Sequence, residues 1–224
     1  TPPRPTSILA TSSNDNPNNV PYVGMPMAVE NGEIKRQFSF QVPRARELIF
    51  GGGFLSFAYT KQSHGQAYNG NYSSPFRENN YEPEIFVRHY GGPNLPFGGQ
   101  VRAFDVGLNH ESNGRTELLS RSWNRVMGRA YLDYGDIAIA LRAWYRIPES
   151  ENEDDHPHMR RYYGAGDIMV AYAPNKNTFT AMFRPGTEEN GLELTWSYPI
   201  SKYLRVYTQY WNGYGESLLD YDAR

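Results

Sequence analysis

Apolar and polar residues alternate with period two along much of this chain. That is the pattern of extended strands, whose successive side chains point to opposite faces. Gln37, Ser39 and Gln41 oppose Phe38, Phe40 and Val42 between 35 and 42. Leu55, Phe57 and Tyr59 oppose Ser56, Ala58 and Thr60 between 54 and 61. Tyr81, Ile85 and Val87 oppose Glu82, Glu84 and Arg88 between 80 and 89. Phe104, Val106 and Leu108 form the next apolar row, which ends in His110 and Ser112. After a polar loop, Asn124, Val126, Gly128, Ala130 and Leu132 oppose Arg125, Met127, Arg129, Tyr131 and Asp133. Ile137, Ile139, Leu141, Ala143 and Tyr145 then face away from Arg142, Trp144 and Arg146. A long strand is predicted over 160–173, with a short partner over 178–184, and two more strands over 192–198 and 203–213. Val20 to Met27 is a further strand, weakened by Pro21 and Pro26. Residues 1–19, rich in Pro, Asn, Ser and Thr, read as an irregular segment. Gly, Asn, Pro and Ser clusters mark loops or turns at 62–75, 91–94, 134–136 and 147–158.

Eleven strands without a long helical stretch predict an all-β antiparallel fold, taken as one domain over 1–224. Strand after strand carries Glu, Arg, Gln, Ser or Thr opposite its apolar row. A soluble sandwich with one solvated face explains one or two such strands. So many, joined alternately by tight turns and long polar loops, favour a transmembrane barrel with apolar side chains facing lipid and polar ones inside.

Composition narrows this only in part. The chain has 224 residues, a net charge of −2 and no cysteine. A nucleic-acid partner is therefore not expected, and a disulfide scaffold or thiolate metal site is excluded. A mean hydropathy of −0.70 does not exclude a barrel, because half of each strand and all the loops are polar. No apolar run approaches the ~20 residues of a spanning helix. The 18 Tyr suit aromatic girdles at the two membrane interfaces. No signal peptide is visible at Thr1, so a mature or trimmed chain is expected.

The candidate chemistry sits at the ends of two apolar rows. His110 and Ser112 share a strand face, about 7 Å apart at their α-carbons. If their strand pairs with the next as a hairpin, Asn124 can join them on one surface. His110 is then the candidate base, Ser112 the nucleophile, and Asn124 the group that fixes the imidazole. A lone histidine or serine of this kind is more often an ordinary loop residue; here the shared face shifts that balance. On a lipid-facing surface such a set would open where acyl esters lie.

At these residues the chain resembles the outer-membrane phospholipase A family. The matching pieces are Asn109-His110-Glu111-Ser112-Asn113-Gly114-Arg115 and Ser120-Arg121-Ser122-Trp123-Asn124. Ser73 to Pro83, Tyr198-Pro199-Ile200 and Gly213 to Tyr221 also match, in order. The resemblance implies a twelve-stranded outer-membrane barrel and a calcium-dependent phospholipase A acting on sn-1 and sn-2 acyl esters. It implies that the Gly114 backbone N–H serves the oxyanion. It also implies calcium on the main-chain oxygens of Arg115 and Ser120 and on the Ser73 side chain of a second copy, with a weaker acidic site at Glu117 and Asp155. A homodimer follows, with dimerisation as the switch. The dimer-contact glutamine of the family aligns with Lys61, next to Gln62. Since the chain stops at Asp222-Ala223-Arg224, the twelfth strand is expected to be missing. The rival readings are a passive porin or adhesin barrel with a degenerate site, and a soluble β-sandwich binding protein.

Overall fold

The computed structural model describes residues 7–12, 32–46, 53–65, 76–115, 120–150, 154, 157–201, 205–219 and 221–222. Within them lie eleven strands: β1 (Ser7–Ser12), β2 (Gly32–Arg46), β3 (Phe54–Gly65), β4 (Phe76–Tyr90), β5 (Gln100–Ser112), β6 (Ser122–Tyr134), β7 (Ile137–Arg146), β8 (Gly166–Tyr172), β9 (Thr178–Pro185), β10 (Asn190–Pro199) and β11 (Arg205–Gly213). They form one antiparallel sheet in sequence order, each strand paired with its chain neighbours. The sheet curls on itself. One interior cavity of about 300 Å³ takes its lining from β2 through β9. A second, of about 120 Å³, adds Glu193 of β10 and Gln209 of β11. β1 and β11 approach one another without a ladder between them among the described residues.

The two sheet faces have inverted polarity. Phe38, Phe40, Phe57, Ile85, Phe104, Val106, Leu108, Leu141 and Tyr145 are exposed on the outside. Ser56, Thr60, Glu84, Arg88, Asp105, Asn109, Glu111, Arg125, Asp167 and Arg184 are buried inside. Apolar side chains gain nothing from water on the outer face; they suit hydrocarbon. There every backbone group must be satisfied within the sheet. Among the described residues no helix is long and apolar enough to cross a membrane, and β2 to β6, at 12 to 15 residues, exceed the ~9–11 a tilted spanning strand needs.

The buried charges are paired. Arg88 donates from Nε and Nη2 to the two oxygens of Asp105, at 2.7 and 2.6 Å. Tyr131 adds its hydroxyl to Asp105 at 3.1 Å. Arg129 pairs with Glu84, and Arg142 with Asp167. Removing one partner of such a pair leaves an uncompensated buried charge, at a cost of about 3–5 kcal/mol.

Three sequence expectations change. The segment 1–19, read as irregular, contains β1, which pairs with β2 from Ser7↔Gln37 to Ser12↔Gly32. β3 pairs along one edge of β2, which leaves the other edge for β1, and Ser7–Ser12 carries no proline to block pairing. The stretch 160–173, read as one strand, begins instead as a short helix, α1 (Met159–Tyr163), before β8. Met159 and Tyr163, four apart, bury one helical face, and Gly164 at φ 61° ends the turn in a conformation that favours glycine. The strands around the 62–75 loop are also longer than read, β3 reaching Gly65 and β4 beginning at Phe76. The strand read over Val20 to Met27 lies outside the described residues.

The interior core sits at the end where β5 stops and β6 begins. Trp123, Met127, Trp144, Met159, Tyr163, Leu218 and Tyr221 pack there. The segment after β11 thus folds back into the barrel mouth. Leu219 N–H donates to Glu78 at 2.7 Å, and Arg184 Nη1 donates to the Gly215 carbonyl at 3.0 Å.

Candidate active site

The β5–β6 register pairs Leu108 with Val126, His110 with Asn124 and Ser112 with Ser122. Residues directly opposite in an antiparallel pair share a face. His110, Ser112 and Asn124 therefore all lie on the outer face, beyond the apolar row of Val106 and Leu108. His110 Nδ1 and Asn124 Oδ1 are 2.9 Å apart. A carboxamide oxygen only accepts, so Nδ1 carries the proton. In the neutral ring Nε2 is then left with its lone pair.

The register is pinned from inside. Glu111 lies opposite Trp123, and Trp123 Nε1 donates to Glu111 Oε2 at 3.0 Å. Arg125 Nη2 donates to the same oxygen at 2.8 Å, and its Nε to Asn109 Oδ1 at 2.9 Å. The Arg125 guanidinium lies 3.8 Å from the Trp123 ring centre. A slip by one residue would turn Glu111 outward and His110 inward; these inner contacts oppose it. Behind Trp123, burial pushes the Tyr163 hydroxyl above its ordinary range, and the charge of Glu111 adds to this.

The loop after β5 is tied at both ends by Asn113. Its N–H donates to the Arg121 carbonyl at 2.9 Å. Its Oδ1 accepts from the N–H groups of Arg115 and Arg121, at 3.2 and 3.0 Å. Gly114 between them has φ 63°, a left-handed conformation that favours glycine. A Cβ there would stand 3.0 Å from the Tyr81 ring.

Asn124 is held at its other end too. Its Nδ2 donates to Glu149 Oε1 at 3.2 Å, and its carbonyl accepts from Ile147 N–H at 2.8 Å. Glu149 was read only as part of the 147–158 loop; nothing in its spacing marks it. Beside the pair an outer groove of about 500 Å³ is lined by Phe57, Ile85, Leu108, His110, Asn124 and Ile147, among others. It is mostly apolar and opens outward, as an acyl chain approaching from a bilayer requires.

Of the residues proposed for calcium, Ser73, Glu117 and Asp155 lie outside the described residues. Arg115, and Arg121 next to Ser120, are both bonded through their N–H groups to Asn113 Oδ1. Among the described residues no group of three or more Asp, Glu or His side chains is set to hold a metal. Main-chain oxygens are the donors on offer, and calcium accepts them. The Ser120 carbonyl also receives Arg121 Nη1 at 2.7 Å; its second lone pair is the one a cation would take, with the guanidinium turned away. Lys61 and Gln62 part company. Gln62 is buried inside, whereas Lys61 lies on the outer face with its Nζ 5.2 Å from the Tyr81 ring centre.

The whole chain, residues 1–224, matches the family model described as phospholipase A1. It is 37% identical over 193 residues to the phospholipase A1 of Escherichia coli (strain K12), covering 85% of this chain and 65% of that protein. The chain spans 52–66% of the lengths of the curated relatives it matches. The outer membrane phospholipase A structure from Escherichia coli superposes with a TM-score of 0.93 at 32% identity, over 99% of this chain and 92% of that one. A second structure of it, an active-site mutant with asparagine changed to alanine, gives a TM-score of 0.92 at 32% identity, over 99% and 86%. The Salmonella typhi outer membrane phospholipase, a dimer with bound calcium, gives 0.89 at 32% identity, over 96% and 84%. With these shared strands the fold is that of an antiparallel transmembrane β-barrel, and the chain belongs to the phospholipase A1 family.

Proposed function

We propose that this chain is a calcium-dependent outer-membrane phospholipase, a single barrel that hydrolyses sn-1 and sn-2 acyl esters of phospholipids and is activated by homodimerisation. The observation that carries the reading is the 2.9 Å contact of His110 Nδ1 with Asn124 Oδ1 on the lipid-facing surface, with Ser112 two positions along the same face. Ser112 Oγ attacks the ester carbonyl as His110 Nε2 takes its proton. Asn124 holds the ring in that tautomer and accepts from the imidazolium that forms. The tetrahedral oxyanion is met by the Gly114 N–H. His110 then returns the proton to the departing lysophospholipid oxygen. Water hydrolyses the acyl-serine by the same route.

The carbonyls of Arg115 and Ser120, with Ser73 of a second copy, would hold calcium, which supplies an electrophile for the ester carbonyl when bound. The dimeric, calcium-bound relative supports this part of the reading, and a relative with an asparagine in its active site is consistent with an asparagine in this role. The test is Ser112→Ala in detergent with calcium. Loss of ester hydrolysis, together with loss of labelling by a long-chain sulfonyl fluoride, is expected; retained hydrolysis would end the proposal.

A further inference from the structure

The Asn124 carboxamide has two ends of opposite character, and the site works only with its oxygen toward His110. A hydrogen bond from Nδ1 does not fix that by itself, because the neutral imidazole can tautomerise and accept from an NH₂ group instead. In that flipped state Nε2 carries the proton and cannot take one from Ser112. Something else must choose between the two orientations.

The neighbour at the far end is Glu149. Its Oε1 receives Asn124 Nδ2 at 3.2 Å, and its side chain is only 17% exposed. A carboxylate has no proton to give, so it accepts from the NH₂ end and repels the oxygen end. Arg146 Nη2 stands 3.5 Å from Glu149 Oε2 and 2.5 Å from Asp154 Oδ1, which helps set where the Glu149 carboxylate points. The backbone brings Glu149 into place: Ile147 N–H continues the β6–β7 pairing onto the Asn124 carbonyl, and Glu149 follows two residues later.

We infer that Glu149 is a positioning residue that orients the Asn124 carboxamide, and through it selects the His110 tautomer that can act as a base. Glu149 touches neither substrate nor reacting atoms in this account. The inference rests on the Ser112, His110 and Asn124 reading above. It extends the three-residue relay, carried by β5 and β6, to a fourth member in the loop after β7.

The test is a double-mutant cycle in detergent with calcium on a long-chain acyl ester, with Ser112→Ala in the same assay. Glu149→Ala is expected to lower kcat about tenfold, the scale of one hydrogen bond to a charged acceptor, with KM within about twofold. Glu149→Gln keeps an oxygen able to face Asn124 and is expected to recover most of that loss. In an Asn124→Ala background, Glu149→Ala is expected to cost nothing further, since the group it orients is gone. Full activity in Glu149→Ala, an equal loss in the Asn124→Ala background, or Glu149→Gln as slow as Glu149→Ala would each overturn the role of Glu149. If Ser112→Ala is inert while one of those results appears, only this inference falls. If Ser112→Ala stays active, both readings fall.

Discussion

In the proposed triad an asparagine stands where hydrolases of this type more often place an aspartate, and its surroundings offer a physical reason. Asn124 sits on the outer face beside an apolar groove, where an isolated charge would be costly to desolvate. A neutral acceptor avoids that cost. In the proposed relay the carboxylate is instead that of Glu149, in the loop after β7, near Arg146 at the strand end. At the same scale Gly114 combines φ 63° with close approach to Tyr81. Gly114→Ala is therefore expected to lower kcat by on the order of tenfold or more, because strain and the Tyr81 contact together shift a proposed oxyanion donor. Steady-state kinetics with an unchanged far-UV circular dichroism spectrum would check it. His110, Ser112 and Asn124 were readable from their shared strand face. Glu149 was not: it lies in a loop, where no periodicity ties a residue to its spatial neighbours.

The β5–β6 hairpin shows how an element sets its own register. Outward, it carries Leu108, His110 and Asn124; inward, Glu111, Trp123 and Arg125 lock one pairing. The period-two pattern gave the correct face from Phe104 to Ser112 and from Asn124 to Leu132; a register shift between Val101 and Ala103 interrupts it at the start of β5. It could not show that Glu111 and Trp123 bond across it, because partners depend on which residues end up opposite. The helix α1 was missed for a related reason. Five residues bury one face only because Trp123 and Trp144 wait inside the barrel. The interior ladder should be stiff. Asp105→Ala is expected to destabilise the barrel by about 3–5 kcal/mol, since Arg88 is left charged and buried without its main partner. Replacing both, as Arg88→Met with Asp105→Leu, should cost clearly less. Urea titration of the barrel refolded in lipid vesicles measures both; equal losses would contradict the account.

On the scale of the whole molecule, the inverted polarity makes the outer surface a place where single charges matter. Lys61 is one of them, partly covered by the Tyr81 ring. If two copies meet through this face, as the proposed switch requires, a two-fold axis brings identical residues toward each other. Two lysines then repel in a poorly hydrated setting, where two glutamines would exchange hydrogen bonds. Lys61→Gln is expected to favour the dimer by roughly 1–2 kcal/mol and to raise hydrolysis at low protein-to-detergent ratio. Chemical cross-linking against detergent dilution reads the first effect. Chelation of calcium should lower both cross-linking and turnover; an unchanged dimer fraction in Lys61→Gln would count against contact through this face.

The alternation of side chains by itself determined most of the antiparallel strands, which face of each is apolar, and the outward placement of the histidine, serine and asparagine. These follow from a local rule, the two-residue repeat of the extended chain, which needs no knowledge of distant partners. Only the tertiary structure decided that β1 pairs with β2, that the segment after β11 packs into the barrel mouth with α1, and that Glu149 reaches Asn124. Those contacts join residues whose separation along the chain says nothing of their distance in space, and the curl of the sheet supplies the meeting.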